Sequence, residues 1–153
     1  ELGADQDMEA QRKGYDAARA RISKVASSLN NSQVLFASAD ADTIRVSLSG
    51  FPILADLAGL GLAVVDPAEG SSVYVEKLAW EMADHYPADM IFLDDRPSSL
   101  QLDTLGTNPA WSNLPAVKAG KIGTWNPEPV LSYAGIARTY NDLADQLLAF
   151  SHS

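Results

Sequence analysis

Asp94 and Asp95, behind the apolar run Met-Ile-Phe-Leu, are the first residues of this chain that could do chemistry. A carboxylate at the end of a buried strand can accept a phosphoryl group if further acids after the first strand hold a magnesium ion. Asp40 and Asp42 supply acids after the run Val34 to Ala39, but a second strand follows them instead of a helix, and no matching lysine-proline pair stands near a later strand. The plainer reading of Asp94 and Asp95 is the capping of a loop. Hydrolysis has less to work with: there is no G-x-S-x-G elbow, His85 falls in an expected helix and His152 in the tail. The acids lack metal-ligand spacing, and without cysteine there is no thiolate site or cysteine nucleophile. Gly59-Leu60-Gly61 has neither the lysine of a phosphate loop nor the context of a dinucleotide site. What remains are residues suited to holding a ligand. Arg45 and Arg96 offer planar forks of donors to oxygen atoms and keep their charge when partly buried, although a surface ion pair of Arg96 with Asp94 or Asp95 competes with that role. Trp125 and Tyr133 are large amphipathic rings on either side of a loop that Asn-Pro-Glu-Pro holds out of regular structure, where rings can line a ligand site; Trp125 could equally cap the core.

The elements that must position these residues belong to one domain. A chain of 153 residues buries a core of ordinary size, and 46% hydrophobic with 20% charged residues is a globular composition. A net charge of -9 with scattered lysines and arginines argues against nucleic acid as a partner. No apolar run approaches the roughly 20 residues of a membrane span. Glu1-Leu2-Gly3 in place of an initiating methionine reads as the start of a mature or excised fragment, with any export signal upstream.

Ala4 to Ser27 is expected to form a long helix, with Met8, Tyr15, Ala18, Ile22 and Val25 on one narrow face. Val34 to Ala39 and Thr43 to Leu48 read as a hairpin about Asp40-Ala41-Asp42, followed by a helix from Phe51 to Leu60 that ends at Gly61. Leu62 to Val65 is a short apolar run, Ala68 to Ser72 a loop by composition, and Val73 to Val75 either strand or loop. A helix is expected over Lys77 to His85, a buried strand over Met90 to Leu93, and a helix over Leu100 to Leu105 capped by Ser98 or Ser99. Trp111 and Leu114 mark a short amphipathic segment, Ala-Val-Lys-Ala-Gly-Lys a turn, Ile122 to Trp125 a strand, and Ala134 to Phe150 a last helix. The alternation predicts an α/β fold: a three-layer α/β/α sandwich with a mixed, mainly parallel sheet of about five strands, preceded by a long helix.

The run Trp-x-x-Leu-Pro-Ala-Val-Lys-Ala-Gly-Lys, from Trp111 to Lys121, resembles a signature of the substrate-binding proteins of bacterial iron-siderophore and cobalamin ABC importers. That family has two lobes joined by a long helix, and the chain resembles its carboxyl-terminal lobe: residues 1-28 as the end of the connecting helix and 29-153 as the ligand-binding lobe. The resemblance implies a binding protein, not an enzyme, that captures a ferric siderophore and delivers it to an ABC permease. It implies a location outside the cytoplasm, with a lipid anchor carried upstream, and an amino-terminal lobe as the missing half of the site. It implies no cofactor and no metal site of the protein's own, iron arriving only within the chelate. Arg45, Ser49, Phe51, Arg96, Trp125 and Tyr133 are then the ligand-binding residues, Asp94 and Asp95 orient Arg96, and Glu81 docks on the permease. Some catecholate binders carry an arginine where this chain has Ser49-Gly50-Phe51, which favours a hydroxamate chelate; cobalamin and haem stay open as cargo. The alternative is a flavodoxin-like receiver domain of two-component signalling.

Overall fold

The computed structural model describes residues 2–66, 74–97 and 99–152, without the side chain of Leu2. The loop expected over Ala68 to Ser72, the ambiguous Val73 and the capping role offered to Ser98 lie outside the described residues. In chain order the elements are α1 (Leu2–Ser28), β1 (Val34–Ala39), β2 (Thr43–Ser47), α2 (Pro52–Gly59), β3 (Val75–Ala79), a single 3-10 turn (Trp80–Met82), β4 (Met90–Asp94), the short helices α3 (Leu102–Leu105), α4 (Pro109–Ser112) and α5 (Pro115–Lys118), β5 (Ile122–Trp125), and α6 (Tyr133–Ser151).

The five strands form one sheet in the order β3-β2-β1-β4-β5. β1 is parallel to β4 and β4 to β5, whereas β2 is antiparallel to both β1 and β3, so β2 alone runs against the other four. The two innermost parallel strands are the most apolar. Every residue of β1 and of β4 is buried, as strands covered on both faces require. The hairpin between β1 and β2 closes through Asp40, whose Oδ1 accepts from the backbone N–H groups of Asp42 and Thr43 and from the Thr43 hydroxyl at 3.0, 2.7 and 3.0 Å. Leu62 to Val65 runs beside the start of β1, with Val34 and Val64 bridged in parallel.

Successive strand residues point to opposite faces, and each face has its own helical layer. Val34, Phe36, Met90, Phe92 and Trp125 meet α1, α2 and α6 on one side. Leu35, Ala37, Ile91 and Leu93 meet Trp80, Leu105, Trp111 and Leu114 on the other. α1 is buried only from Ala18 onward; Met8 is 59% exposed, so the buried part of the apolar face expected from Met8 is shorter than its spacing implied. Asn30 and Asn31, at φ of 52° and 62°, end that helix in the left-handed region that asparagine tolerates.

Two expectations fail: Ser99 does not cap α3, whose N-cap is Gln101, and the helix expected before β4 does not form. Lys77 to His85 is not a helix: Val75–Ala79 forms an edge strand on β2, with Arg45 paired to Lys77 and Val46 to Glu76, and only Trp80–Met82 coils, as one 3-10 turn. Backbone pairing with β2 outweighs a weak local preference here, and the indole N–H of Trp80 donates to the Asp40 carbonyl at 3.1 Å, which holds the turn against the hairpin.

Candidate functional site

The carboxyl ends of β1, β4 and β5 lie at one edge of the sheet, because parallel strands in register finish together. Arg96 lies in the loop after β4, and the loop after β5 leads from Trp125 to Tyr133. Behind β4, Asp94 has a side chain only 2% exposed, and it accepts from Arg96 through the backbone N–H at 2.8 Å, Nε at 2.9 Å and Nη2 at 2.6 Å. This pairing raises the Arg96 guanidinium above its ordinary pKa. Asp94 and Arg96 thus form the ion pair that the sequence set against a ligand-binding role for Arg96. Asp95 points elsewhere, into a polar pocket of about 300 Å³ shared with Thr124, Asn126, Asp142 and Gln146, where desolvation first, then Asp94, raise its carboxyl above the usual range.

Behind β5, the proline loop does not expose the Trp125 ring. Trp125 is 3% exposed, edge-on to Phe36 at 5.1 Å, and its indole N–H reaches the Ala37 carbonyl at 3.4 Å. The alternation of β5 turns it toward the α1, α2 and α6 layer, and the missing side chain of Gly123, where a Cβ would meet the Phe92 ring at 2.6 Å, leaves space beside it. Trp125 instead backs Phe51, whose ring stands at 6.2 Å from it and at 5.4 Å from Tyr74. Tyr133 opens α6, is 38% exposed, and packs on Tyr15 of α1 at 5.2 Å.

Between these rings runs a groove that no single stretch of sequence announces. One part, of about 480 Å³, is lined by Phe51, Ile53, Pro127, Glu128, Leu131 and Tyr140. A second part, of about 460 Å³, continues past Tyr15, Leu131 and Ile136 to Met8 and Tyr133. Leu131 is 88% exposed and Val130 69%, an unusual cost for apolar side chains in a loop. The signal available for them was the Val-Leu pair between the second proline and the Ser132 cap. Under the groove, Asp56 of α2 accepts from Arg19 of α1 through Nε at 3.1 Å and Nη2 at 2.7 Å, and from the Tyr140 hydroxyl of α6 at 2.6 Å. Arg19 holds the Asp56 carboxyl below the usual range, and burial pushes the Tyr140 hydroxyl up.

Arg45 stands on β2 opposite Ser38, with Nε buried, unpaired by any hydrogen bond and 3.9 Å from Asp40 Oδ2. Among the described residues the two arginines thus share no partner: Arg45 leans on Asp40, while Arg96 is taken by Asp94 and by Glu128, whose Oε1 lies 3.1 Å from Nη1. Ser49 is half-buried and its N–H donates to Asp66 at 3.3 Å. Glu81 is exposed on the 3-10 turn, on the side of the sheet opposite α1.

The receiver reading is not favoured. Its strand-end aspartate, Asp94, is committed to Arg96, and Asp40 to the hairpin turn. Among the described residues no three His, Asp or Glu side chains converge on a metal position. The arrangement can bind, through an apolar groove with paired charges at its mouth.

A search of curated protein sequences found no match. Among solved structures, the chain is similar to DesE, a ferric-siderophore receptor protein from Streptomyces coelicolor, at 34% identity and a TM-score of 0.78 over 91% of this chain and 48% of that one. FhuD2 from Staphylococcus aureus, solved with bound ferrioxamine B, shares the fold at 14% identity and a TM-score of 0.67 over 98% of this chain and 60% of its own. The periplasmic heme-binding protein RhuT from Roseiflexus sp. RS-1 does so at 22% identity and a TM-score of 0.68 over 99% and 58%. The chain spans about half the length of these relatives. Since the sequence model described as periplasmic binding protein matches residues 1–129, over the long helix and all five strands, the chain belongs to the periplasmic binding protein family.

Proposed function

We propose that this chain is the carboxyl-terminal lobe of an extracytoplasmic receptor that captures a ferric siderophore, of hydroxamate type in preference, and delivers it to an ABC permease. The observation that carries this reading is the groove itself: apolar, edged by Phe51, Tyr133 and Leu131, with Glu128 in its lining paired to Arg96. A chelate that wraps ferric iron in neutral hydroxamates presents an oily exterior with a few oxygens, which suits such a wall. The 34% identity to a ferric-siderophore receptor supports the same class. In this reading Phe51 and Tyr133 contact the chelate, Arg45 and Ser49 offer donors to its oxygens, Arg96 stays paired with Asp94 and Glu128, and Trp125 serves from behind by fixing Phe51. The amino-terminal lobe supplies the facing wall, and a lipid anchor upstream holds the receptor at the membrane. Glu81 docks on an arginine of the permease.

The test is a titration of the two-lobed protein with a ferric tris-hydroxamate such as ferrioxamine B, followed by quenching of tryptophan emission. Saturable binding is expected, weakened by roughly 1–3 kcal/mol in Phe51→Ala, as lost aromatic packing typically costs. The 153-residue chain alone is expected to bind far more weakly, because one wall leaves most of the chelate in water. Absence of saturable quenching by any ferric chelate would remove the siderophore assignment.

A further inference from the structure

A guanidinium has three nitrogens, and Arg96 turns two of them inward. Nε and Nη2 are taken by the buried Asp94 at 2.9 and 2.6 Å. The third, Nη1, meets Glu128 at 3.1 Å. The loop is built to bring that carboxylate there. Glu128 sits between Pro127 and Pro129, whose rings restrict the backbone, and its own N–H donates to Asn126 Oδ1 at 2.8 Å. Its side chain is 72% exposed and lines the groove beside Phe51, Pro127 and Leu131. A ligand entering the groove therefore meets a carboxylate before it meets the cation behind it.

We propose that Glu128 sets the charge selectivity of the groove, acting as a built-in anion on the one Arg96 nitrogen through which an anionic ferric chelate would otherwise bind. The inference rests on the siderophore reading above and names the residue that decides between chelate classes. An uncharged tris-hydroxamate meets a neutralised pair and loses nothing to it. A tris-catecholate, which carries a multiple negative charge around the same iron, is repelled by Glu128 and must displace it to reach Arg96. The net charge of -9 acts in the same direction at longer range. Because an ion pair this exposed contributes little to folding, removing Glu128 changes the charge at the groove without unmaking the loop, which Asn126 and the two prolines still hold.

The experiment measures affinities of the two-lobed protein for one ferric tris-hydroxamate and one ferric tris-catecholate, in the wild type, Glu128→Gln and Glu128→Ala, at low and at physiological salt. In both variants the ratio of the two affinities is expected to move about tenfold toward the catecholate, the order of one charge-assisted hydrogen bond, and to move less as salt is raised. Melting temperatures report that the variants are folded. An unchanged ratio in either variant, with hydroxamate still bound by the wild type, overturns the role of Glu128 and leaves the siderophore reading standing. Binding of neither chelate by the wild type overturns both.

Discussion

Asp56 joins three helices through one carboxylate, and it is a residue whose protonation the fold must feel. Arg19 and Tyr140 both donate to it, so the folded chain holds its proton less tightly than the unfolded chain does, where the ordinary value is about 3.9. A depressed folded value stabilises the fold fully above the unfolded value, and the contribution is lost as pH falls through the folded one. Thermal melting is expected to fall below about pH 4 in the wild type, more gently in Asp56→Ala, which lacks the group. At neutral pH that variant is expected to lose roughly 1–3 kcal/mol, because Arg19 and the buried Tyr140 hydroxyl both lose their acceptor. A wild-type pH profile parallel to that of the variant would show that Asp56 carries no such linkage. None of this was legible locally: Arg19, Asp56 and Tyr140 are unremarkable at their sequence positions, and only the packing of α1 on α6 brings them to one point. The opposite holds for Asp94 and Arg96, two residues apart, whose pairing the sequence offered as one of two readings and which the structure realises with Glu128 as an unforeseen third member.

At the scale of elements, the junction between the proline loop and α6 decides where the groove wall stands. Ser132 caps the helix by accepting from the Gly135 N–H at 2.9 Å, and a side chain at Gly135 would collide with the carbonyl oxygen and Cβ of Val130. Replacing a helical glycine by alanine ordinarily gains up to about 1 kcal/mol, whereas forcing an extra carbon into a packed junction costs about 1–3 kcal/mol. Overpacking against backbone wins, so Gly135→Ala is expected to be destabilised by about 1 kcal/mol or more in chemical denaturation. Equal or higher stability would mean that the Val130 carbonyl retreats freely. The long helices, the hairpin and the strands of β4 and β5 were legible because their apolar periods are strong and their ends carry asparagine, proline or serine. β3 was not: an edge strand that is half-exposed on both faces shows no clean alternation, and Leu78, Trp80 and Ala83 mimic a helical stripe. Its partner β2 lies some thirty residues earlier in the chain, so pairing was the deciding term and no local window contains it.

For the whole molecule, the chain spans about half the length of the relatives it matches, and the function proposed above sets it between a ligand, a second lobe and a membrane protein. If Glu81 meets an arginine of the permease, Glu81→Arg is expected to leave melting temperature and chelate affinity of the two-lobed protein near the wild-type values while uptake falls, since like charges then meet across the interface. Normal uptake by the folded variant would leave Glu81 as a surface charge of the 3-10 turn. The sequence alone determined the α/β class, a mixed sheet of about five strands though not its edge strand β3, the long leading helix and the binding-protein family, because these follow from periodicity, turn chemistry and a motif, all of which are local in the chain. The tertiary structure decided which face each ring takes: Trp125, placed at a proline loop that promised exposure, is held in the core by the pleat of β5 and by Phe36, while Leu131 stands in the open. It also decided which charges are free, since Asp40, Asp94 and Glu128 reach their arginines by short loop geometry at one sheet edge. Alternation tells a strand that it has two faces. Which of them meets a helix and which meets a groove depends on neighbours far along the chain, and that information exists only once the sheet has been assembled.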